Sequence, residues 1–177
     1  MATDRDTEFS NFVHVHRGRM LRTARLLTTG DGYWAEDLVQ TALTKLYLHW
    51  RRIGRDPGAA RYADRILVNV FLDERRRFWR HRETLTDNLA ESGRAGASAG
   101  SSDAGTDDRL AMLAVLEQLP RRQRAAVVLR FFCDFDVATV AELMNCSQGT
   151  VKSQSARGLD KLRDLVDRPL DTLETAR

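Results

Sequence analysis

The sequence predicts an all-α protein of two small helical domains joined by a flexible linker, and three observations support that reading. Apolar residues recur at three- and four-residue steps over most of the chain, the pattern of amphipathic helices. A Gly-, Ser- and Ala-rich stretch with no such period interrupts them. Ala, Leu and Arg are frequent while aromatics make up only 7%, which favours helix over sheet. A chain of 177 residues has room for one ordinary domain or two small ones.

In chain order, Phe9, Phe12, Val13, Met20, Ala24 and Leu27 form one stripe and predict a first helix over 7–27. Thr29-Gly30-Asp31-Gly32 breaks it. A second helix is expected over 33–52, with Leu38, Ala42, Leu46 and Ile53 on one face and Glu36 and Asp37 in its first turn, where acids suit the helix dipole. Gly54 to Gly58, with Pro57, ends it. A third helix over 59–82 buries Ile66, Val70 and Phe71, then becomes an arginine strip carrying Phe78 and Trp79. These helices make a first domain over 7–86.

The linker spans 87–108, where Ser92 to Thr106 has too little apolar surface to offset its ordering entropy. The second domain spans 109–166. Leu110, Leu113, Leu116 and Leu119 lead to Pro120, and helices are expected over 121–132, 137–144 and 147–166. Residues 167–177 carry little information, and the two units do not repeat one another.

Of the 28 basic residues only Lys45, Lys152 and Lys161 are lysines, and the rest are arginines, whose planar forks match phosphates and guanine edges. The net charge is only +3, so its distribution matters more than its total: the arginines at 75–77, 80 and 82 alternate along the chain with an acidic stretch holding Asp103, Asp107 and Asp108. Cys133 and Cys146 read as small helical core residues, without a C-x-x-C partner that would suggest a disulfide or zinc. No apolar run reaches the roughly 20 residues of a membrane span and no signal-peptide core opens the chain, so a cytoplasmic protein is expected. His14 and His16, two apart, would point to different faces of one helix, and no metal or cofactor is expected.

The segment from Val137 to Val151 has the spacing of a helix-turn-helix. Ala141 is small where two helices cross, Asn145 stands where the turn needs a positive φ, and Ser147 caps the second helix. Val140, Met144 and Val151 would pack the pair, leaving Gln148, Lys152, Ser153, Gln154, Arg157 and Lys161 on a polar surface able to enter a major groove.

Four ordered segments on the two domains extend this reading: Ala35 to Leu43, Arg65 to Asp73, Leu119 to Arg124 and Cys146 to Gln154. With them the chain resembles the extracytoplasmic-function group of sigma-70 factors, and within it the actinobacterial sigma-E set. The resemblance implies a region 2-like first domain and a region 4-like second one, with the linker in place of region 3. It implies an alternative sigma factor that binds RNA polymerase core, selects promoters through −35 and −10 elements, assists opening, and acts as a monomer when free. By the same resemblance Glu36, Asp37, Leu38 and Gln40 dock on the β′ clamp helices, and Asn69, Asp73, Arg76, Arg77 and Arg80 face the −10 element. Phe78 and Trp79 suit either base stacking or core packing. Arg130, Gln148, Thr150, Lys152, Ser153, Gln154 and Arg157 would serve the −35 element, with the β flap as the partner of region 4. Such factors are often held by an anti-sigma protein, which a single sequence does not name.

Asn145 departs from the family's common glycine, and Ala156 stands where some relatives present a bulkier contact, so the −35 sequence stays open. A stand-alone helix-turn-helix regulator is the rival reading. An enzyme finds no support: the chain has no phosphate-binding glycine loop, nucleophile elbow or H-E-x-x-H pair.

Overall fold

The computed structural model describes residues 4–54, 56–73 and 104–166, the side chains of 104–106 excepted. Among these residues every regular element is helical: α1 (Asp4–Leu27), α2 (Gly32–Ile53), α3 (Ala59–Asp73), α4 (Ala104–Glu117), α5 (Arg121–Val127), α6 (Val137–Leu143) and α7 (Gln148–Val166). A π-helical turn, Val128–Phe132, continues α5.

The α1–α2 break follows its residues. Thr29 and Gly30 take positive φ values of 56° and 93°, and the Asp31 carboxylate accepts the Trp34 N–H at 2.9 Å, capping α2. That helix therefore starts at Gly32, which moves Glu36 and Asp37 from the expected first turn into the second. Met20, Ala24 and Leu27 of α1, Leu38, Ala42 and Leu46 of α2, and Leu67, Val68 and Phe71 of α3 close the first unit's interior. Around Trp50, Phe9 and Phe12 add edge-on and tilted ring contacts at 5.1 and 4.9 Å. Ile66, expected in the core, is only half-buried, and its neighbour Leu67 takes that place.

Asp64 is buried on α3 and accepts from Arg19 at 2.7 Å. Burial pushes its carboxyl up from the usual range, and the Arg19 guanidinium works against that rise.

The second unit differs from expectation in three places. α4 starts at Ala104, inside the stretch expected to be linker, and Leu110 lies exposed on it while Leu116 and Leu119 are buried. The expected single helix over 121–132 changes to π winding at Val128, with Cys133 N–H donating to Val128 O at 3.0 Å. That rewinding leaves Phe131 and Phe132 half in solvent. Neither cysteine is helical: Cys133 follows the π turn and Cys146 sits in the α6–α7 turn, both half-buried and free, with burial raising each thiol's pKa. The end of the expected third helix, from residue 74, lies outside the described residues.

The two units share one continuous apolar core. Their broadest contact is α3 against α6, and Gly30 of the first turn lies against Leu113 of α4. Among the described residues no helix is long and apolar enough to cross a membrane.

Candidate nucleic-acid interface

The hairpin is built from both ends. Asp136 caps α6, accepting from the Thr139 N–H at 2.9 Å and the Thr139 hydroxyl at 2.8 Å, and those bonds hold its carboxyl below the usual range. Asn145 takes φ 50°, the left-handed geometry the turn needs, and lets Cys146 N–H reach Ala141 O at 3.0 Å. Ser147 Oγ accepts the Thr150 N–H at 3.1 Å, capping α7. Val140, Ala141, Met144 and Val151 are all buried where the helices cross.

One face of α7 is pressed inward. Ser155 and Gly158 are buried there, and a Cβ added at Gly158 would stand 2.7 Å from Val127 Cγ2 of α5, so the two helices approach as closely as glycine allows. The other face presents Gln148, Lys152, Ser153, Arg157 and Lys161 to solvent, with Thr150 and Gln154 half-buried at its edges. Lys152, Arg157 and Lys161 make this strip positive, and Asp160 is drawn aside by Arg163 at 3.1 Å. Ser153 Oγ donates to Thr150 O at 2.9 Å and Thr150 Oγ1 contacts Ser147 Oγ at 2.9 Å, so both hydroxyls are engaged within the helix end. Arg130 lies half-buried on the π turn with its guanidinium 5.5 Å from the Phe131 ring centre. Arg122, which sequence reasoning did not single out for DNA, is exposed and near enough to the hairpin turn to oppose the rise of the Cys146 thiol.

On α2, Glu36 is half-buried and paired with Arg17 of α1, Asp37 is half-buried, and Gln40 is exposed. Leu38 lies where its helical period puts it, fully enclosed in the first unit's core on the face of Ala42 and Leu46. On α3, Asn69 is half-buried and Asp73 exposed. Arg76, Arg77 and Arg80 lie outside the described residues.

A family model for sigma-70 region 2 matches residues 12–81, and one for sigma-70 region 4 matches residues 109–162. The chain belongs to the sigma-70 family. Its relatives point to the extracytoplasmic-function branch. It is 36% identical to the RNA polymerase sigma-E factor of Streptomyces coelicolor, over 93% of this chain and 89% of that one. To the ECF RNA polymerase sigma factor SigM of Mycobacterium tuberculosis it is 27% identical, over 89% of this chain and 76% of the relative. The fold is similar to that of the sigma factor RpoE from Bartonella quintana, solved in complex with the anti-sigma factor NepR: TM-score 0.66 and 26% identity, over 90% of this chain and 98% of the other.

This protein is an alternative sigma factor that directs RNA polymerase, with α1–α3 in region 2 and α4–α7 in region 4. The rival reading, a stand-alone regulator, leaves the region 2 match without a role. Sequence reasoning placed the hairpin of this sigma factor closely but missed the π turn and the tight Gly158 crossing. Neither has a compositional signal, because each depends on what packs against it.

Proposed function

We propose that this sigma factor divides promoter recognition between its two units: α7 reads the −35 element as duplex, while α2 engages the β′ clamp helices and α3 with the arginines after it receives the unpaired −10 strand. The exposed, positive outer face of α7 on a capped hairpin carries the reading. Region 4 would meet the β flap. The complex between RpoE and NepR supports an anti-sigma partner for this chain as well. Its role is binding and strand opening rather than turnover, consistent with relatives named as sigma factors.

Arg157 is the first candidate for base discrimination, since a forked arginine on a guanine edge is worth about 1–3 kcal/mol. With core polymerase bound, Arg157→Ala is expected to reduce preference at one −35 position by about 5- to 150-fold, at 1.4 kcal/mol per tenfold. Lys152→Ala should instead weaken all promoters evenly and lower the salt slope by about 1. Initiation measured across a set of −35 variants checks both, and an even loss for Arg157→Ala would assign that residue to phosphate.

A further inference from the structure

From the outer face of α1 we infer a third DNA-binding surface in this sigma factor: a basic stripe centred on Gly18 that holds the phosphate backbone of promoter DNA, apart from the −35 and −10 contacts. The inference rests on the sigma reading above. Met20, Ala24 and Leu27 turn inward on α1, and the helical period places Asn11, His14, Gly18, Arg22 and Arg25 on the opposite side. All five are exposed, and Val15 beside them is 70% exposed.

The charge on this helix has one sign. Between Phe9 and Leu27 stand four arginines and two histidines, with neither Asp nor Glu. Two of the arginines serve the protein's own fold, Arg17 paired with Glu36 of α2 and Arg19 with Asp64 of α3 at 2.7 Å. Arg22 and Arg25 do not. Among the described residues neither has an ion-pair partner, and their like charges, three residues apart, repel along one side of the helix.

Gly18 is a second observation, independent of charge. Glycine inside a helix lowers stability relative to every ordinary residue but proline, and its use there is to let something approach the backbone closely. At Gly158 that neighbour is Val127, 2.7 Å from an added Cβ. At Gly18 a Cβ would meet no atom within 4 Å, so nothing in the protein itself requires the glycine. Bare backbone is left between His14 and Arg22, one turn to either side.

A DNA strand suits both observations. Its phosphates answer the forked donors of Arg22 and Arg25, and the missing side chain lets the strand lie against the helix. From His14 to Arg25 the stripe runs about 16 Å at ~1.5 Å per residue, the axial length of about five base pairs. An acidic patch on the polymerase is the rival occupant, and salt dependence separates the two.

The test uses the full chain assembled with core polymerase. Binding to a promoter fragment recovered by run-off transcription is followed by fluorescence anisotropy over a range of KCl. Arg22→Gln together with Arg25→Gln keeps helix propensity. The pair is expected to leave core affinity unchanged, to lower the slope of log K against log salt by about 1.8, at ~0.9 per phosphate, and to weaken every −35 and −10 variant evenly. Gly18→Gln is expected to raise the thermal midpoint of the free chain by about 2 °C, because a good helix former replaces glycine. The same change should weaken the promoter complex about fivefold or more, since its side chain stands where the strand would lie. An unchanged salt slope for the arginine pair, or a Gly18→Gln complex as tight as the parent's, would overturn the inference and leave the stripe a solvated face. A loss carried by core affinity instead would overturn it in favour of a protein partner. Initiation by the parent chain on the same promoter reports the sigma activity separately.

Discussion

Phe71→Ala is expected to lower the unfolding free energy by about 3–5 kcal/mol, the range for emptying a buried aromatic site. Phe71 is fully enclosed, its ring is 5.8 Å from that of Trp34, and Arg121 lies over it from the other unit. Truncation removes the ring contact with Trp34 of α2 and the support for a cross-unit arginine at once. Little nearby can collapse into the space, because the surrounding residues of α2, α3 and α5 are themselves packed into the one continuous core. For a protein of this size the midpoint of thermal unfolding should fall by on the order of 10 °C. Circular dichroism at the helical band, followed through temperature and urea, checks it. A loss below about 1 kcal/mol would mean that the site refills and that Phe71 is not central to the core.

The second large effect separates packing from docking on α2. Leu38→Ala is expected to cost about 2–5 kcal/mol of stability, because the side chain is fully buried in the core. Gln40→Ala, on the exposed side, should leave the unfolding midpoint within about 0.5 kcal/mol of the parent and act on polymerase binding instead. Thermal melts together with co-purification on core polymerase resolve the two. Should Leu38→Ala keep its stability and lose core binding, the burial assigned to Leu38 is wrong.

Much of the fold was legible because local rules governed it. Asp31 and Ser147 cap helices, Thr29-Gly30 turns with positive φ, and Asn145 supplies the left-handed step, each a choice made by the residue and its near neighbours. The same holds for the outer strip of α7, whose alternation of Lys152, Arg157 and Lys161 with buried Val151, Ser155 and Gly158 follows the helical period. What escaped depends on contacts far apart in sequence. Arg124 reads as one more basic residue until its guanidinium is found buried on Leu27 O, 97 positions away. The π winding at Val128, and with it the exposure of Phe131 and Phe132, has no signature in an otherwise ordinary helical run. α4 extends into a stretch whose Gly, Ser and Ala content masks its start at Ala104.

The central claim is that two helical units acting with core polymerase select and open promoters. Run-off transcription with core polymerase on genomic fragments tests it most directly. The account predicts transcripts from a defined promoter set that appear only when this chain is added and that share a −35 and a −10 element. Binding to duplex sites without core, together with no chain-dependent transcripts when core is present, would contradict it.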